Sequence, residues 1–135
     1  LNLGLFFLGR RFGFTRAVYA FLEEDIFPLV RRASLGELLL GAAMAGFSEE
    51  LLFRGLLQPR IGLVATSLLF GLLHGPSRGL SPLAVWAGGA GCLLGLVYSS
   101  TGNLLLPTLI HALYDAVALL YVRYYWRPRE VREST

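Results

Sequence analysis

Charged side chains are scarce in this chain, and lysine is absent altogether. Of the 135 residues only 16% are charged and 55% are hydrophobic, and all 12 basic residues are arginine. This composition favours a small integral membrane protein over a soluble domain. The length suffices for one domain with about four to five membrane crossings of ~20 residues each.

Cysteine is equally rare, and no basic patch with interleaved aromatic residues is present. The single cysteine, Cys92, cannot form an internal disulfide and lies in an apolar, glycine-rich run, where a small packing residue is expected. The net charge of +3 comes from arginines at segment ends and in loops, as in the flanks of membrane helices. We therefore expect the lipid bilayer as a partner and no nucleic acid.

The distribution of apolar residues predicts three parts. Residues 1–34 read as an apolar remnant followed by an interfacial amphipathic helix, residues 35–126 as a transmembrane core, and residues 127–135 as a polar tail. Within the core we predict four helices: A (35–57), B (61–74), C (82–99) and D (104–126). The expected fold is an all-α integral membrane protein, with a bundle of about four core transmembrane helices plus the N-terminal amphipathic helix.

Local signals support these helix boundaries. Ser34 followed by Glu37 has the spacing of a capping box at the start of helix A, and Asn103 is a candidate N-cap for helix D. Small residues at four-residue spacing on helix C allow close approach of a neighbouring membrane helix, namely Ala87, Gly91 and Gly95.

Helix A contains three charged residues within an otherwise apolar run. A charge at the bilayer centre costs about 2.5–3.5 kcal/mol on insertion scales, so Glu49, Glu50 and Arg54 need a reason to be there. Glu50 and Arg54 are four residues apart and can form an ion pair on one helix face. Glu49 projects roughly 100° further round the helix, where it is free to act as a general base.

The remaining ionisable residues of the predicted membrane helices are His74, His111 and Asp115. His111 and Asp115 are four residues apart on helix D, and His74 ends helix B. The helical rise places all three at about the depth of Glu49, so they share one pocket if helices A, B and D are neighbours. Each has a structural alternative, since an intramembrane histidine often only bonds two helices together.

Together these side chains make a hydrolytic set. Glu49 would be the base, His74 would orient water or shuttle a proton, and His111 would meet a developing oxyanion. Asp115 would fix the tautomer of His111 or donate when protonated. Glutamate and histidine also suit zinc, with Glu49, His74 and His111 as the ligands. The spacing is not His-Glu-x-x-His, so metal-free water activation is an equal alternative.

Three sequence motifs resemble those of the CPBP family of intramembrane proteases, also called the Abi or CAAX prenyl protease 2-like family. The motifs E-E-x-x-x-R, F-x-x-x-H and H-x-x-x-N/D occur here in order, each on its own predicted helix, over roughly residues 35–125. They begin at Glu49, Phe70 and His111. The third motif ends in Asp115 where asparagine is commoner.

The resemblance implies a multi-pass membrane endopeptidase, in which Glu49 activates water with His74 while His111 and Asp115 line the oxyanion side. Its substrates would be membrane-embedded peptides or proteins, lipidated or not, in a bacterial inner membrane or a related organelle membrane. A non-catalytic membrane adaptor, or a bacteriocin-immunity-type protein, is the main alternative. A proton-coupled transporter is disfavoured because four short helices show no repeated halves.

Overall fold

The computed structural model describes residue 22, residues 26–75 and residues 82–126. These residues are helical and include no strand, which confirms the all-α prediction. A π-helical segment, Leu51–Leu57, links the second and third of five α-helices: α1 (Phe27–Arg32), α2 (Leu35–Glu50), α3 (Gln58–Leu73), α4 (Pro82–Thr101) and α5 (Leu105–Tyr124). Most of the predicted N-terminal amphipathic helix and the polar tail of residues 127–135 lie outside the described residues.

The predicted start signal of helix A is present. The Ser34 hydroxyl accepts from the backbone N–H of Glu37, and the Glu37 carboxylate accepts from the backbone N–H of Ser34, which is a complete capping box. The predicted N-cap of helix D is wrong by one residue: the N-cap of α5 is Leu104, and the side chain of Asn103, just before it, accepts from the backbone N–H of Leu105 at 2.9 Å. Predicted helices A to D therefore correspond to α2 with the π-helical segment, α3, α4 and α5.

The chain reverses direction at Gly62, inside α3. Gly62 has φ +81° and ψ 166°, a conformation that a residue with a Cβ rarely adopts. The ring centroids of Phe53 and Phe70 are 4.8 Å apart, although 17 residues of continuous helix would separate them by about 25 Å. The reversal thus lays the second arm of α3 against the π-helical segment.

Glycines bring two further pairs of helices into close contact. A Cβ on Gly46 of α2 would lie 2.8 Å from the backbone nitrogen of Ala112 on α5. A Cβ on Gly71 of α3 would lie 2.5 Å from the carbonyl oxygen of Ala84 on α4. Only glycine permits such spacing, and these contacts place α5 beside α2 and α4 beside α3.

Three helices of the described chain are long and apolar enough to cross a membrane: Leu35–Leu73, Leu83–Thr101 and Leu105–Tyr124. The first includes the reversal at Gly62. Large apolar side chains such as Val64, Leu93 and Leu113 are more than half exposed, which a lipid environment tolerates and water does not. These features are those of a membrane protein.

Candidate active site

A fully buried ion pair lies at the centre of the bundle. Nη1 of Arg54 donates to Oε1 of Glu50 at 2.7 Å, and the two side chains are 1% and 0% exposed. The second guanidinium nitrogen, Nη2, donates to the carbonyl oxygen of Gly91 on α4 at 2.7 Å. The predicted pair is therefore present, and it also joins the π-helical segment to α4.

Glu50 also sets the orientation of His111. Nδ1 of His111 lies 2.8 Å from Oε1 of Glu50, the same oxygen that accepts from Arg54. Nδ1 must carry the proton, because that carboxylate oxygen is an acceptor. Asp115 was predicted to fix this tautomer or to donate when protonated; its Oδ2 lies 3.5 Å from Nε2, on the other side of the ring, and its role stays a prediction.

Phe70 orients His74 in two ways. Nδ1 of His74 donates to the backbone carbonyl oxygen of Phe70 at 2.7 Å, since a carbonyl can only accept. The two rings are stacked with centroids 4.2 Å apart. The four-residue spacing of the F-x-x-x-H motif thus has a direct structural role at the end of α3.

The remaining ring nitrogens converge on Glu49. Its Oε2 lies 3.4 Å from Nε2 of His74 and 3.8 Å from Nε2 of His111. The structure therefore brings together all six predicted site residues, from α2, the π-helical segment, the end of α3, and α5. Glu49, His74 and Asp115 are each about one third exposed, whereas Glu50 and Arg54 lie behind them.

The open side of this group consists of hydrogen-bond acceptors. With their Nδ1 protons committed to Glu50 and Phe70, neutral His111 and His74 each present a lone pair from Nε2. Oε2 of Glu49 is buried and has no hydrogen-bond partner among the described residues. A buried acceptor without a donor is costly, so this geometry favours a bound donor such as water.

Zinc was predicted as one possible occupant of the site. Histidine and carboxylate are suitable zinc ligands, but no three His, Cys, Asp or Glu side chains in the described ranges are arranged to hold a metal ion. Zinc stays a prediction, and no step of the chemistry proposed below depends on it.

The π-helical segment begins directly after Glu50 and contains Arg54. A π-helix is rare and often marks a functional site. Here it carries the chain from the two glutamates to Gln58, a buried residue whose amide also reaches α4. Neither the π-helical segment nor the contact of Gln58 was predicted from the sequence.

Comparison with known proteins agrees with the motifs that meet in this site. Residues 31–117 match the family model described as type II CAAX prenyl endopeptidase Rce1-like. The chain belongs to this family. The match confirms the resemblance to CPBP proteases and includes every residue of the site described above.

The chain is also similar to a bacterial protein over most of its length. The chain is 37% identical over 93 residues to the uncharacterized protein YpbD of Bacillus subtilis (strain 168), and the alignment covers 69% of this chain. It covers 49% of YpbD, so the chain spans about half the length of that curated relative. No solved structure matches this member of the Rce1-like family.

Proposed function

We propose that this chain is an intramembrane endopeptidase, in which Glu49 and His74 activate the water that hydrolyses a peptide bond. The observation that supports this most directly is that Oε2 of Glu49 is buried without a hydrogen-bond donor among the described residues, while Nε2 of His74 lies 3.4 Å from it. A water molecule between Glu49 and His74 would donate one hydrogen to the carboxylate and the other to Nε2. Its oxygen lone pairs would then be directed towards the substrate.

The reaction proceeds by general-base catalysis. Glu49 takes a proton from the water while the water oxygen forms a bond to the carbonyl carbon of the substrate. The C–N bond of the tetrahedral intermediate then breaks, and the proton that Glu49 took passes to the leaving amine. His74, held by Phe70, orients the water during the first step.

His111 and Asp115 would serve the oxyanion of that intermediate. Since Nδ1 of His111 already donates to Glu50, Nε2 donates only when the ring is doubly protonated. Asp115 likewise donates only as a neutral acid. The oxyanion side of this member thus needs an added proton, whereas an asparagine at this position would donate without one.

The substrate is proposed to be a membrane-associated peptide or protein. The family description includes CAAX prenyl substrates, so a prenylated C-terminal peptide is one candidate. The exposed apolar helices would place the site within reach of a lipidated segment. A multi-pass arrangement in a bacterial inner membrane, or a related organelle membrane, is part of the proposal.

Replacing the base tests this function. Glu49→Gln keeps the shape of the side chain but cannot take a proton, so cleavage should fall by about 10²–10⁴-fold. Glu37→Gln is the matched control, because glutamine also completes a capping box and Glu37 lies far from the site along α2. The assay uses purified protein in detergent, with prenylated peptides, their unprenylated counterparts and membrane-anchored peptides.

The same assay separates the alternatives. A zinc chelator that stops cleavage by wild type would establish a metal requirement, and undiminished cleavage would establish the metal-free route. Full cleavage by Glu49→Gln would refute the proposed base. If folded wild type cleaves nothing and Glu49→Gln keeps the cellular function, the chain is a non-catalytic adaptor.

A further inference from the structure

Gln58 is a buried polar residue that no part of the proposed chemistry uses. It is 7% exposed and lies four residues after Arg54 and eight after Glu50, before the chain reverses at Gly62. Its Nε2 donates to the carbonyl oxygen of Gly95 and to Oγ of Ser99, each at 2.9 Å. Inside a membrane bundle, two such hydrogen bonds require close placement of α4.

The contacts of Gln58 repeat those of Arg54 one helical turn away. Arg54 donates to the carbonyl oxygen of Gly91, and Gln58 donates to that of Gly95, so both partners advance by four residues. Two bonds separated by about 6 Å along a helix fix its axial position better than one bond can.

Both acceptors on α4 are glycines, and the space at each is restricted. A Cβ on Gly95 would lie 2.6 Å from Oε1 of Gln58. A Cβ on Gly91 would lie 3.4 Å from Nη2 of Arg54 and 3.2 Å from the ring of Phe70. The side chains of Arg54 and Gln58 reach the α4 backbone because no side chain intervenes.

The position of α4 bears on both histidines, although α4 carries no predicted site residue. The guanidinium of Arg54 donates to the carbonyl oxygen of Gly91 and to Oε1 of Glu50. The same oxygen of Glu50 accepts from Nδ1 of His111. Phe70, which packs against Gly91, stacks on His74. An axial shift of α4 would therefore disturb both the contact of Glu50 with His111 and the stacking of Phe70 on His74.

We infer that Gln58, with Gly95 and Ser99, is a positioning clamp that fixes α4 so that Arg54 and Phe70 hold His111 and His74 in their working orientations. This inference rests on the proposed function for its effect on rate. Its effect on the orientation of His111 is independent of any activity. Gln58 touches neither substrate nor the reacting atoms, so it is a positioning residue.

Gln58→Leu removes both hydrogen bonds and tests the clamp. Misplacement of catalytic groups by about 1 Å costs up to about 100-fold in rate, so we expect kcat to fall between about 10-fold and 100-fold with KM nearly unchanged. Thr66→Val is the matched control, because Thr66 is also buried but its hydroxyl has no hydrogen-bond partner among the described residues. It should leave kcat unchanged.

A second readout does not need cleavage. The chain has only two histidines, so ¹⁵N-labelled histidine gives an NMR spectrum in which the imidazole of His111 can be followed directly. In wild type and Thr66→Val we expect the tautomer protonated on Nδ1. In Gln58→Leu we expect a mixture of tautomers, even if the protein proves not to be a protease.

A milder pair of variants covers the case in which Gln58→Leu does not fold. Ser99→Ala removes the hydrogen bond from Gln58 to Oγ and should lower kcat by a smaller factor than Gln58→Leu does. Ser99→Thr keeps the hydroxyl and should keep the wild-type kcat. The clamp is refuted if Gln58→Leu, or Ser99→Ala in its place, melts earlier yet keeps wild-type kcat and the wild-type His111 spectrum. Gln58 would then stabilise the bundle and nothing more.

Discussion

A single carboxylate oxygen, Oε1 of Glu50, accepts hydrogen bonds from both Arg54 and His111. Removing one partner of a buried ion pair typically costs about 3–5 kcal/mol, so substitutions of Glu50 or Arg54 confuse loss of folding with loss of function. The two residues that face the open side, Glu49 and Asp115, are better probes of the chemistry.

Asp115→Asn should preserve cleavage and make it less dependent on pH. The carboxyl group donates a hydrogen bond only while it is protonated, so its contribution is lost as the pH rises, whereas an amide donates at every pH. The measurement is kcat against pH for both proteins. A variant that loses activity at all pH values would show that Asp115 acts as a carboxylate and not as an oxyanion donor.

At this scale the sequence predicted which side chains meet but not all of their bonds. The spacing of Glu50 and Arg54 was sufficient to predict their ion pair. The bond from His111 to Glu50 joins residues 61 positions apart, and no local pattern indicates it. The sequence does indicate the contact of Gln58 with a neighbouring helix, since Gln58 is a polar residue four positions beyond Arg54 in an apolar run.

The helices themselves depend on glycine at particular contacts. Gly46 on α2 lies three residues before Glu49, and it packs against Ala112, the residue after His111. This crossing therefore sets the distance between the helix that carries the proposed base, Glu49, and the helix that carries the proposed oxyanion group, His111.

Gly46→Ala should weaken both stability and activity. The added Cβ would lie 2.8 Å from the backbone of Ala112, and overpacking of this kind costs roughly 1–3 kcal/mol. Gly41→Ala on the same helix meets no atom within 4 Å and should stabilise α2 by up to about 0.5–1 kcal/mol. Thermal unfolding in detergent, together with kcat, compares the two; equal unfolding temperatures would contradict the close crossing.

The start of helix A was predictable because a capping box marks it locally. Helix A was expected to begin after Ser34, and α2 does so with its capping box complete. The π-helical segment was not predicted, because its amino acids are ordinary helix formers. Backbone acceptors such as the carbonyl of Gly91 are equally invisible in a sequence, since every residue has one.

As a whole molecule, the described chain has an apolar exterior, and its interior holds buried polar side chains such as Glu50, Arg54 and Gln58 beside hydrophobic clusters. The membrane-spanning character follows from composition, and the all-α bundle was predicted with it. The number of crossings depends on the reversal at Gly62, because one apolar helix of 39 residues, Leu35–Leu73, contains it.

Single-cysteine labelling should establish the multi-pass arrangement. In a Cys92→Ser background, cysteines at Arg60 and Asn103 should react with an impermeant thiol reagent from one side of the membrane. Cysteines at Arg32 and Tyr125 should react from the other side, since α2 and α5 separate these two pairs of positions. Labelling of all four from the same side would refute the arrangement.

The reversal at Gly62 has a consequence for how this chain tolerates changes in length. Glu49 and His74 lie at nearly equal distances along the chain before and after Gly62. The two helical arms on either side of Gly62 must therefore have matching lengths for these side chains to meet. Inserting one residue in either arm would rotate Glu49 or His74 by about 100° and shift it by about 1.5 Å along the helix axis relative to the other. Insertions and deletions between these two residues should therefore be tolerated only in compensating pairs.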